Sequence, residues 1–512
     1  MHQKQRGILK AGLAGVLAAS ILGMLCPSAA VLAADGGTTY YVSSTAGSDS
    51  NSGTSEDQAW KSFANLAELE LTGGDKVLLK CGDSWMEQLR LNSVKGTEEN
   101  PVVLSSYGSG EKPKLTRYEG EVPALAADPV VYVVSPAGFE IRGLDIGFSG
   151  VGIDLFYDNS YNNEYVRIED CHFHDIYGFY QLDNVPGYPH ATSIVVTRRV
   201  SVPGTADPSL IGLYIHNCTT DDAGSLITYG TYPINEGIGT AIRGMYITDC
   251  LMENNAFYGT VLADVDGGYM DNCILRNNGS RPMPAGSMGI MVSCKNFTIM
   301  NCEIAGQQRL DDNPDGGGID FEHMSDNVTV TNCYIHDNSG VGIMFYNSGG
   351  TEANKNTNCR VINCVFENNN ANIGNVGGAE IVSIPVYSLT NGEISHNRYL
   401  ESRYTFAMWM DATVEMEDNE AYASAEECPY PLLSPDDVRK AVASGGELPG
   451  GSSGNNPLSD AVDQIPGGNT AVKSAVYYGI GAGIGAVIAA VGLAVVLVVT
   501  RKKKTAKSAE EG

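Results

Sequence analysis

Carboxylates cluster in one short segment of this 512-residue chain, DGGGIDFEH from Asp315 to His323. Side chains on a β-strand alternate between its two faces. In a strand here, Ile319 and Phe321 would point inward, and Asp320 and Glu322 would project together from the outer face. Two carboxyl groups at a glycosidic bond can hydrolyse it, one donating a proton and the other acting as base or nucleophile. The segment therefore predicts a catalytic pair at Asp320 and Glu322. A solvated acidic face is the alternative.

Later segments of the same pattern add two further carboxylates to this prediction. Aligning GAEIV, which begins at Gly378, with the first segment places Glu380 directly above Asp320. Aligning AMWMD, which begins at Ala407, places Asp411 farther along the same groove. Stacked strands lie about 4.8 Å apart, so two steps are roughly 10 Å, near the carboxyl separation that admits a water in an inverting glycosidase. Glu380 and Asp411 are therefore further catalytic candidates.

Three side chains beside these carboxylates are predicted to bind substrate. Tyr346 and Trp409 fall between the acidic residues in the same alignment, and aromatic rings can pack against the apolar faces of sugars. His323 could orient a neighbouring carboxylate or bind a sugar hydroxyl.

An acidic loop precedes the segment and contains Asp311, Asp312 and Asp315. Carboxylate oxygens are the ligands that Ca²⁺ prefers, so the loop is a weak candidate for a calcium site, with an ordinary solvated turn as the alternative. No cysteine or histidine spacing in the chain is typical of a zinc site. No other cofactor is predicted.

An internal repeat dictates how these residues are positioned. Short β-branched runs separated by Asn, Asp and Gly recur through most of the chain, which is typical of an all-β fold. Many repeats share an Asn or Asp followed by Cys and often a later Asn pair. The repeated cysteines are Cys171, Cys218, Cys250, Cys273, Cys302, Cys333 and Cys364. A repeat of this length with β-period strands predicts a solenoid with one coil per repeat.

The repeated cysteines are expected to stack inside this solenoid. The same position in successive coils forms an internal ladder at the strand spacing. This arrangement favours a stack of buried thiols. Disulfides between adjacent coils remain possible, since the Cα separation permits them. The Asn and Asp positions are expected to form polar ladders at the corners, where their side chains can satisfy backbone groups and each other.

The two ends of the chain have the composition of export and membrane segments. Residues 1–34 combine a basic start, an apolar stretch and small residues, which is typical of a signal peptide. Residues 475–500 are 26 residues without a charge, followed by Arg501 and three lysines. This pattern predicts a single transmembrane helix with residues 501–512 as a cytoplasmic tail. Residues 35–424 would then form the β-solenoid outside the cell, and residues 425–474 a flexible Gly/Pro/Ser stalk.

The exported part is strongly acidic. Residues 35–500 contain 24 Lys and Arg against 58 Asp and Glu, a net charge of −34. Such a surface repels nucleic acid and polyanions. A neutral glycan is therefore a more natural partner than a polyuronate, with simple solubility of a surface protein as the alternative explanation.

Several segments resemble known carbohydrate enzymes. The segment YYVSSTAGSDSNSGT from Tyr40, the WKSF at Trp60, the GDKVLLKCGDSW from Gly74 and the PVVLSSYGSG from Pro101 resemble the openings of pectate-lyase-like β-helix proteins. The resemblance covers about residues 38 to 424. It implies a single-stranded right-handed parallel β-helix, the fold of many β-helix glycoside hydrolases and polysaccharide lyases. The ordered motifs of polygalacturonases are missing, so the resemblance does not specify one reaction.

Three hypotheses for function follow. The first is a cell-surface glycoside hydrolase, of bacterial origin, that uses an Asp/Glu acid–base pair on a polysaccharide or complex glycan. The second is a Ca²⁺-assisted polysaccharide lyase. The third is a glycan-binding or adhesion protein without catalysis, since a solenoid offers a long binding face.

Overall fold

The chain folds into a parallel β-solenoid of stacked coils. The structure is a computed structural model that describes residues 36–123, 126–158, 163–176, 192–198, 210–228, 242–281, 287–310, 315–370, 379–400, 406–424, 426–428 and 433–444. Three long parallel sheets run along the solenoid, and each complete coil contributes one strand to each sheet. The predicted all-β solenoid with one coil per repeat is confirmed.

Sheet 1 has 13 strands. They are Thr39–Val42, Lys76–Lys80, Val102–Tyr107, Phe139–Arg142, Asn163–Glu169, Leu210–His216, Ile242–Thr248, Val265–Asp271, Lys295–Met300, Thr329–Thr331, Arg360–Ile362, Glu393–Ser395 and Glu415–Glu417. Sheet 2 has 12 strands. They are Ser84–Trp85, Lys114–Thr116, Asp145–Ser149, His172–Ile176, Thr219–Ala223, Leu251–Glu253, Ile274–Arg276, Glu303–Ala305, Tyr334–His336, Val365–Glu367, Arg398–Leu400 and Glu420–Tyr422.

Sheet 3 has 11 strands. They are Leu89–Leu91, Pro129–Val134, Val151–Tyr157, Thr192–Arg198, Ile227–Thr228, Thr260–Ala263, Ser287–Val292, Gly317–His323, Ile343–Tyr346, Ile381–Ile384 and Ala407–Met408. Two short parallel pairs complete the strands: Leu71–Thr72 with Val94–Lys95, and Asn356–Thr357 with Leu389–Thr390. The helices among the described residues are the 3₁₀ turns Glu56–Gln58, Leu66–Glu68, Ser348–Gly350 and Glu352–Asn354, and the α-helix Pro435–Ser444.

The core is built from aliphatic ladders. In sheet 1, Ile141, Ile168, Ile215 and Ile247 pair in register through successive coils. All four are fully buried. Burying such a side chain contributes about 1.5–3 kcal/mol, and each rung of the ladder repeats the gain. The repeat in the sequence is therefore the repeat of the core.

The repeated cysteines form the predicted internal stack, and they are free thiols. All seven are buried. The Cys333 thiol lies 3.3 Å from the carbonyl oxygen of Thr331 in its own coil and 3.7 Å from that of Ile299 in the preceding coil. Burial raises the pKa of the Cys333 thiol well above its usual value. The prediction of stacked thiols is confirmed, and the disulfide alternative is wrong for these seven.

Asparagine ladders occupy the corners, as the sequence predicts. Before the cysteines, Asn332 has a φ of 50° and its side chain donates to Asn301 at 2.8 Å. Asn tolerates this left-handed conformation better than most residues. At the next corner, buried Asn338 donates to Asn369 at 2.8 Å and to the Ile304 carbonyl at 3.2 Å. Both ladders satisfy polar groups at the turns, where the strand hydrogen bonds end.

The predicted flexible stalk is wrong for residues 433–444. The helix Pro435–Ser444 packs through Val438 on Met300 of sheet 1, and Arg439 forms an ion pair with Asp271 at 2.6 Å. The helix starts after Ser434, with proline at its first position, where a missing N–H has no cost. The surrounding Gly and Pro residues are typical of a flexible segment, and they hide this short amphipathic helix in the sequence.

The predicted signal peptide and transmembrane segment lie outside the described residues. Within the part of the chain that the structure describes, no helix is long and apolar enough to cross a membrane. The segments at both ends therefore stay predictions.

The thiol stack leads to a first testable prediction. Cys428 is half-buried, whereas the seven ladder cysteines are fully enclosed. Labelling the ladder requires unfolding, which typically costs about 5 kcal/mol or more, so these thiols should react at least about a thousandfold more slowly than Cys428. Peptide mass spectrometry after timed treatment with a thiol reagent would measure both rates. Rapid labelling of Cys302 or Cys333 in the folded protein would contradict the buried stack. A Cys428→Ser variant should lose the fast component of the labelling reaction, which assigns that component to Cys428.

Candidate active site

The strand Gly317–His323 lies in sheet 3 and positions the acidic segment. Ile319 pairs with Ile343 in the next coil, and the rings of Phe321 and Phe345 stack 4.7 Å apart in the core. With these side chains inward, Asp320 and Glu322 take the other face. The alternation predicted for this strand is confirmed.

A β-bulge at Glu322 interrupts the pairing of this strand with the strand of the preceding coil. Met291 pairs with Phe321, and the next residue, Val292, pairs with His323. Glu322 is therefore the extra residue of the bulge. Bulges re-aim side chains and are common beside active sites, and this one places the irregularity at an acidic residue.

The carboxyl groups of Asp320 and Glu322 form a buried pair. Their residues are only 2 % and 8 % exposed, and the two carboxyls are close enough for each to shift the pKa of the other through charge and hydrogen bonding. One oxygen of each, Oδ1 of Asp320 and Oε1 of Glu322, is buried without a hydrogen-bond partner. A buried acceptor without a partner costs about 1–3 kcal/mol or more. The solvated acidic face that the sequence left open is wrong, because these carboxyls are withdrawn from water.

Burial and like charge hold a proton on this pair. Burial and the neighbouring Glu322 carboxylate raise the pKa of Asp320 well above its usual value. Burial raises the pKa of Glu322 to about 7, opposed by the hydrogen bond from Asp320. Two adjacent carboxyls titrate as a pair. Near neutral pH, the pair therefore favours retaining a proton.

Asp315 and Tyr346 complete the acidic site. The charge of Asp315 raises the pKa of both Asp320 and Glu322. Tyr346 lies close enough that burial and the charges of Glu322, Asp320 and Asp315 raise the pKa of its hydroxyl. The structure thus brings together the predicted pair, the predicted substrate-binding Tyr346 and one residue proposed for calcium. Asp311 and Asp312 lie outside the described residues, so the calcium site stays a prediction.

His323 is buried at the end of the same strand. It is 1 % exposed, and its Nδ1 has no hydrogen-bond partner. Burial lowers its pKa to about 4, so the ring is neutral at physiological pH. A neutral imidazole next to Glu322 can donate or accept one hydrogen bond without adding charge. Its predicted role in binding stays a prediction.

The predicted position of Glu380 is wrong. Val382, not Glu380, occupies the rung above Met344, which in turn pairs with Asp320. Glu380 lies before its strand and accepts a 2.7 Å hydrogen bond from Asn369, a member of the corner ladder. Burial raises its pKa to about 7. The predicted register was wrong by two residues. A shift of two residues keeps the same side chains inward, so the alternation of apolar residues does not distinguish the two registers.

Asp411 and Trp409 also lie elsewhere than the alignment predicts. Met408 occupies the rung above Val382, so Trp409 follows the strand, where it is 42 % exposed with a φ of 62°. Asp411 lies in the next turn and accepts hydrogen bonds from the backbone and side chain of Thr413 at 2.9 and 2.8 Å. The structure gives Asp411 a turn-forming contact and does not bring it to the Asp320–Glu322 pair.

Sequence reasoning missed an apolar patch beside the carboxyls. Val341, Met344 and Val382 form a buried cluster on the outer side of sheet 3, and Tyr346, Ile384 and Met408 pack against it. The strands IMFY and IVSI are apolar at nearly every position, which indicates burial on both faces. This run of apolar residues could have predicted the patch from the sequence. The patch gives the acidic pair an apolar neighbour on the next coils.

The pair should make native stability depend on pH. A carboxyl with a raised native pKa binds its proton more tightly when folded, so stability falls as pH rises from the unfolded value to the native one. For Glu322 that window runs from 4.5 to about 7. A shift of one pKa unit corresponds to about 1.36 kcal/mol. The change that Glu322→Gln makes to the free energy of unfolding should therefore be more favourable at pH 8 than at pH 4, by up to about 3 kcal/mol.

Denaturant unfolding of both proteins at the two pH values would measure this difference. Glu417→Gln, at an exposed position, is the matched control and should show no such gain. A Glu322→Gln variant that is equally destabilised at both pH values would contradict a protonated pair.

Comparison with known proteins agrees with this architecture. A family model described as right-handed beta helix region matches residues 200–421. The chain is similar in fold to the GH136 lacto-N-biosidase from Eubacterium ramulus, with a TM-score of 0.59, 20 % identity and coverage of 75 % of this chain and 68 % of that one. Its native form gives a TM-score of 0.58 at 19 % identity. The predicted resemblance to right-handed parallel β-helix proteins is confirmed.

A shorter similarity has a higher identity. The lacto-N-biosidase of Bifidobacterium longum subsp. longum is 41 % identical over 81 residues, which are 15 % of this chain. This chain matches 5 % of the length of that protein.

Proposed function

We propose that this protein is a carbohydrate-active enzyme, a glycoside hydrolase whose reaction centre is the Asp320–Glu322 pair. The observation that carries the proposal is a pair of carboxyl groups, Asp320 and Glu322, buried on the outer side of the β-helix beside an apolar patch, where burial raises the pKa of both. Glycoside hydrolysis needs a carboxylic acid that stays protonated near neutral pH. Similarity to two lacto-N-biosidases supports the same class.

The pair supplies the general acid. Asp320 carries the proton and shares it with Glu322. When substrate binds, the glycosidic oxygen would replace Glu322 as the acceptor and receive this proton. The oxygens of two hydrogen-bonded carboxyls lie about 3 Å apart. The carboxyls that flank a scissile bond are about 5–5.5 Å apart in retaining enzymes and about 6.5–9.5 Å apart in inverting enzymes. The pair therefore acts as one acid, and the opposing carboxylate must come from another residue.

Asp315 is the described carboxylate best suited to that second role. Its charge acts on both members of the pair and on Tyr346, and it is partly exposed at the start of the same strand. A carboxylate in this position can activate water or stabilise the positive charge that develops on the sugar ring. We assign Asp320 as acid, Glu322 as the group that holds its proton in place, and Asp315 as base or nucleophile.

The apolar patch supplies the binding surface. Met344 and Val382 continue the rung of Asp320, and half-buried Tyr346 stands beside the acidic residues. Sugars present apolar C–H faces that pack on such side chains, while their hydroxyls reach the carboxylates and the Tyr346 hydroxyl. Together with the net charge of −34 for residues 35–500, this surface favours a neutral glycan.

A glycan screen of the purified full-length chain tests this proposal. The panel should hold plant and host glycans and aryl lacto-N-biosides, with reducing ends and ultraviolet absorbance measured together. New reducing ends without absorbance are the expected result. Absorbance of an unsaturated uronide would overturn the hydrolase assignment in favour of a lyase, and binding without turnover would favour an adhesion protein.

Single substitutions, assayed on a glycan that the wild-type protein hydrolyses, would identify the catalytic residues. Loss of a general acid or base typically lowers rate about 10²- to 10⁴-fold, so Asp320→Asn, Glu322→Gln and Asp315→Asn should each lower kcat by such a factor. Asp411→Asn, in its exposed turn, is the matched control and should retain full activity. Full activity in both Asp320→Asn and Glu322→Gln would move the reaction centre elsewhere.

We further propose that the enzyme acts at the cell surface, exported by residues 1–34 and anchored by residues 475–500. The composition of these two segments motivates the proposal. Protease treatment of intact cells should release the β-helix domain, and its persistence in a protected, intracellular pool would contradict the proposal.

A further inference from the structure

Two histidines and an aspartate converge on the outer face of sheet 2, away from the sheet 3 site. Asp145 begins the strand Asp145–Ser149 and pairs in register with His172, which begins the strand His172–Ile176 in the next coil. His174 follows two residues later, on the same face as His172. The three side chains therefore belong to two adjacent coils.

Both imidazole rings contact the carboxylate of Asp145. Nδ1 of His172 lies 3.0 Å from Oδ2 of Asp145, and Nε2 of His174 lies 2.9 Å from Oδ1. One ligating atom of each residue lies within 4.8 Å of the other two. Among the described residues, no other group of three His, Cys, Asp or Glu side chains meets this criterion. The rings stack with centroids 5.1 Å apart, and one nitrogen of each contacts the Asp145 carboxylate.

The neighbouring residues hold His174 in this orientation. Its ring lies directly over Gly147 of the preceding coil, where an added Cβ would come within 2.5–2.8 Å of the ring atoms. The Phe148 ring packs edge-on against it at 5.3 Å. On the far side of the imidazole, Nδ1 lies 2.8 Å from the carboxylate of Asp175. Gly147 leaves the space, and Asp175 fixes the ring.

We propose that Asp145, His172 and His174 bind a divalent transition-metal ion of the zinc type, with Asp175 as a positioning residue. Two imidazole nitrogens and a carboxylate oxygen are common Zn²⁺ ligands, and sites with three protein ligands keep a position open for water or a further ligand. Histidines that bind metal usually donate their other N–H to a carboxylate, which is the contact between His174 and Asp175.

The surroundings suit a metal ion held at the surface. The side chains of Asp145, His172 and His174 are 17, 26 and 19 % exposed, so an ion can enter from solvent and is still shielded. Metal ligands must be deprotonated. Bound Zn²⁺ would therefore take the place of the contacts between the imidazoles and Asp145. Since its ligands come from two coils, the ion would also fasten those coils together.

Zinc titration of the full-length chain, purified with a tag that contains no histidine, tests this proposal. Calorimetry with ZnCl₂, together with metal analysis after dialysis, should give one Zn²⁺ per chain that depends on these residues. His172→Ala and His174→Ala should each weaken that binding at least about 100-fold, and Asp175→Asn about 10- to 100-fold. Co²⁺ in place of Zn²⁺ should give a visible absorption band that both histidine variants lose.

His336→Ala is the matched control. His336 also lies on sheet 2 between two carboxylates, at 2.9 Å from Asp337 and 3.6 Å from Glu303, but it has no second histidine, so its variant should bind Zn²⁺ as the wild type does. Absence of stoichiometric binding in the wild type, or equal binding in His172→Ala and His174→Ala, would overturn the proposal. Circular dichroism confirms that each variant is folded. No readout depends on glycan turnover, so this test is independent of the proposed hydrolase activity.

Discussion

The structure depends on the hydrogen bonding of each strand to its counterpart one coil away. This bonding fixes the distance between coils and places equivalent residues above each other, so every inward position becomes a ladder. The isoleucines of sheet 1, the thiol stack and the corner asparagines are three outcomes of this one constraint. Side chains on the outer face obey it too. Asp320 is buried without lying in the core, because the residues of adjacent coils cover it.

The ladder also explains why the candidate site has its electrostatic character. In an isolated strand, carboxyls two residues apart on the outer face would be solvated and ionised. Here Met344 and Val382 continue the rung of Asp320, and the bulge lies at Glu322, whose charge raises the pKa of Asp320. A chain with an excess of negative charge thus holds a protonated acid at one point on its surface. The negative charge of neighbouring carboxylates acts in the same direction, since a like charge raises the pKa of a carboxyl group.

The sequence predicted the features that repeat and failed where the repeat is broken. Cysteine recurs at the same position in seven coils and asparagine recurs at the corners, so their ladders could be assigned from spacing alone. The inward Ile319 and Phe321 likewise determine the direction of Asp320 and Glu322. Glu380 was misplaced because alternation tolerates a shift of two residues, and only the backbone pairing of Val382 with Met344 decides between the registers. Trp409 was misplaced because its strand ends one residue earlier, at a positive φ.

Long-range neighbours were the other feature hidden from the sequence. Asp145 and His172 are separated by a full coil, so their proximity is evident only once the coil length is known at that point of the chain. The helix Pro435–Ser444 is a similar case, since it crosses back to sheet 1. Its position has a geometric consequence. The helix places Val438 against Met300 in the ninth of the 13 strands of sheet 1, and so attaches to the flank of the solenoid. Release of this helix would therefore uncover the apolar surface of Met300 and leave the Asp271 carboxylate without the Arg439 cation.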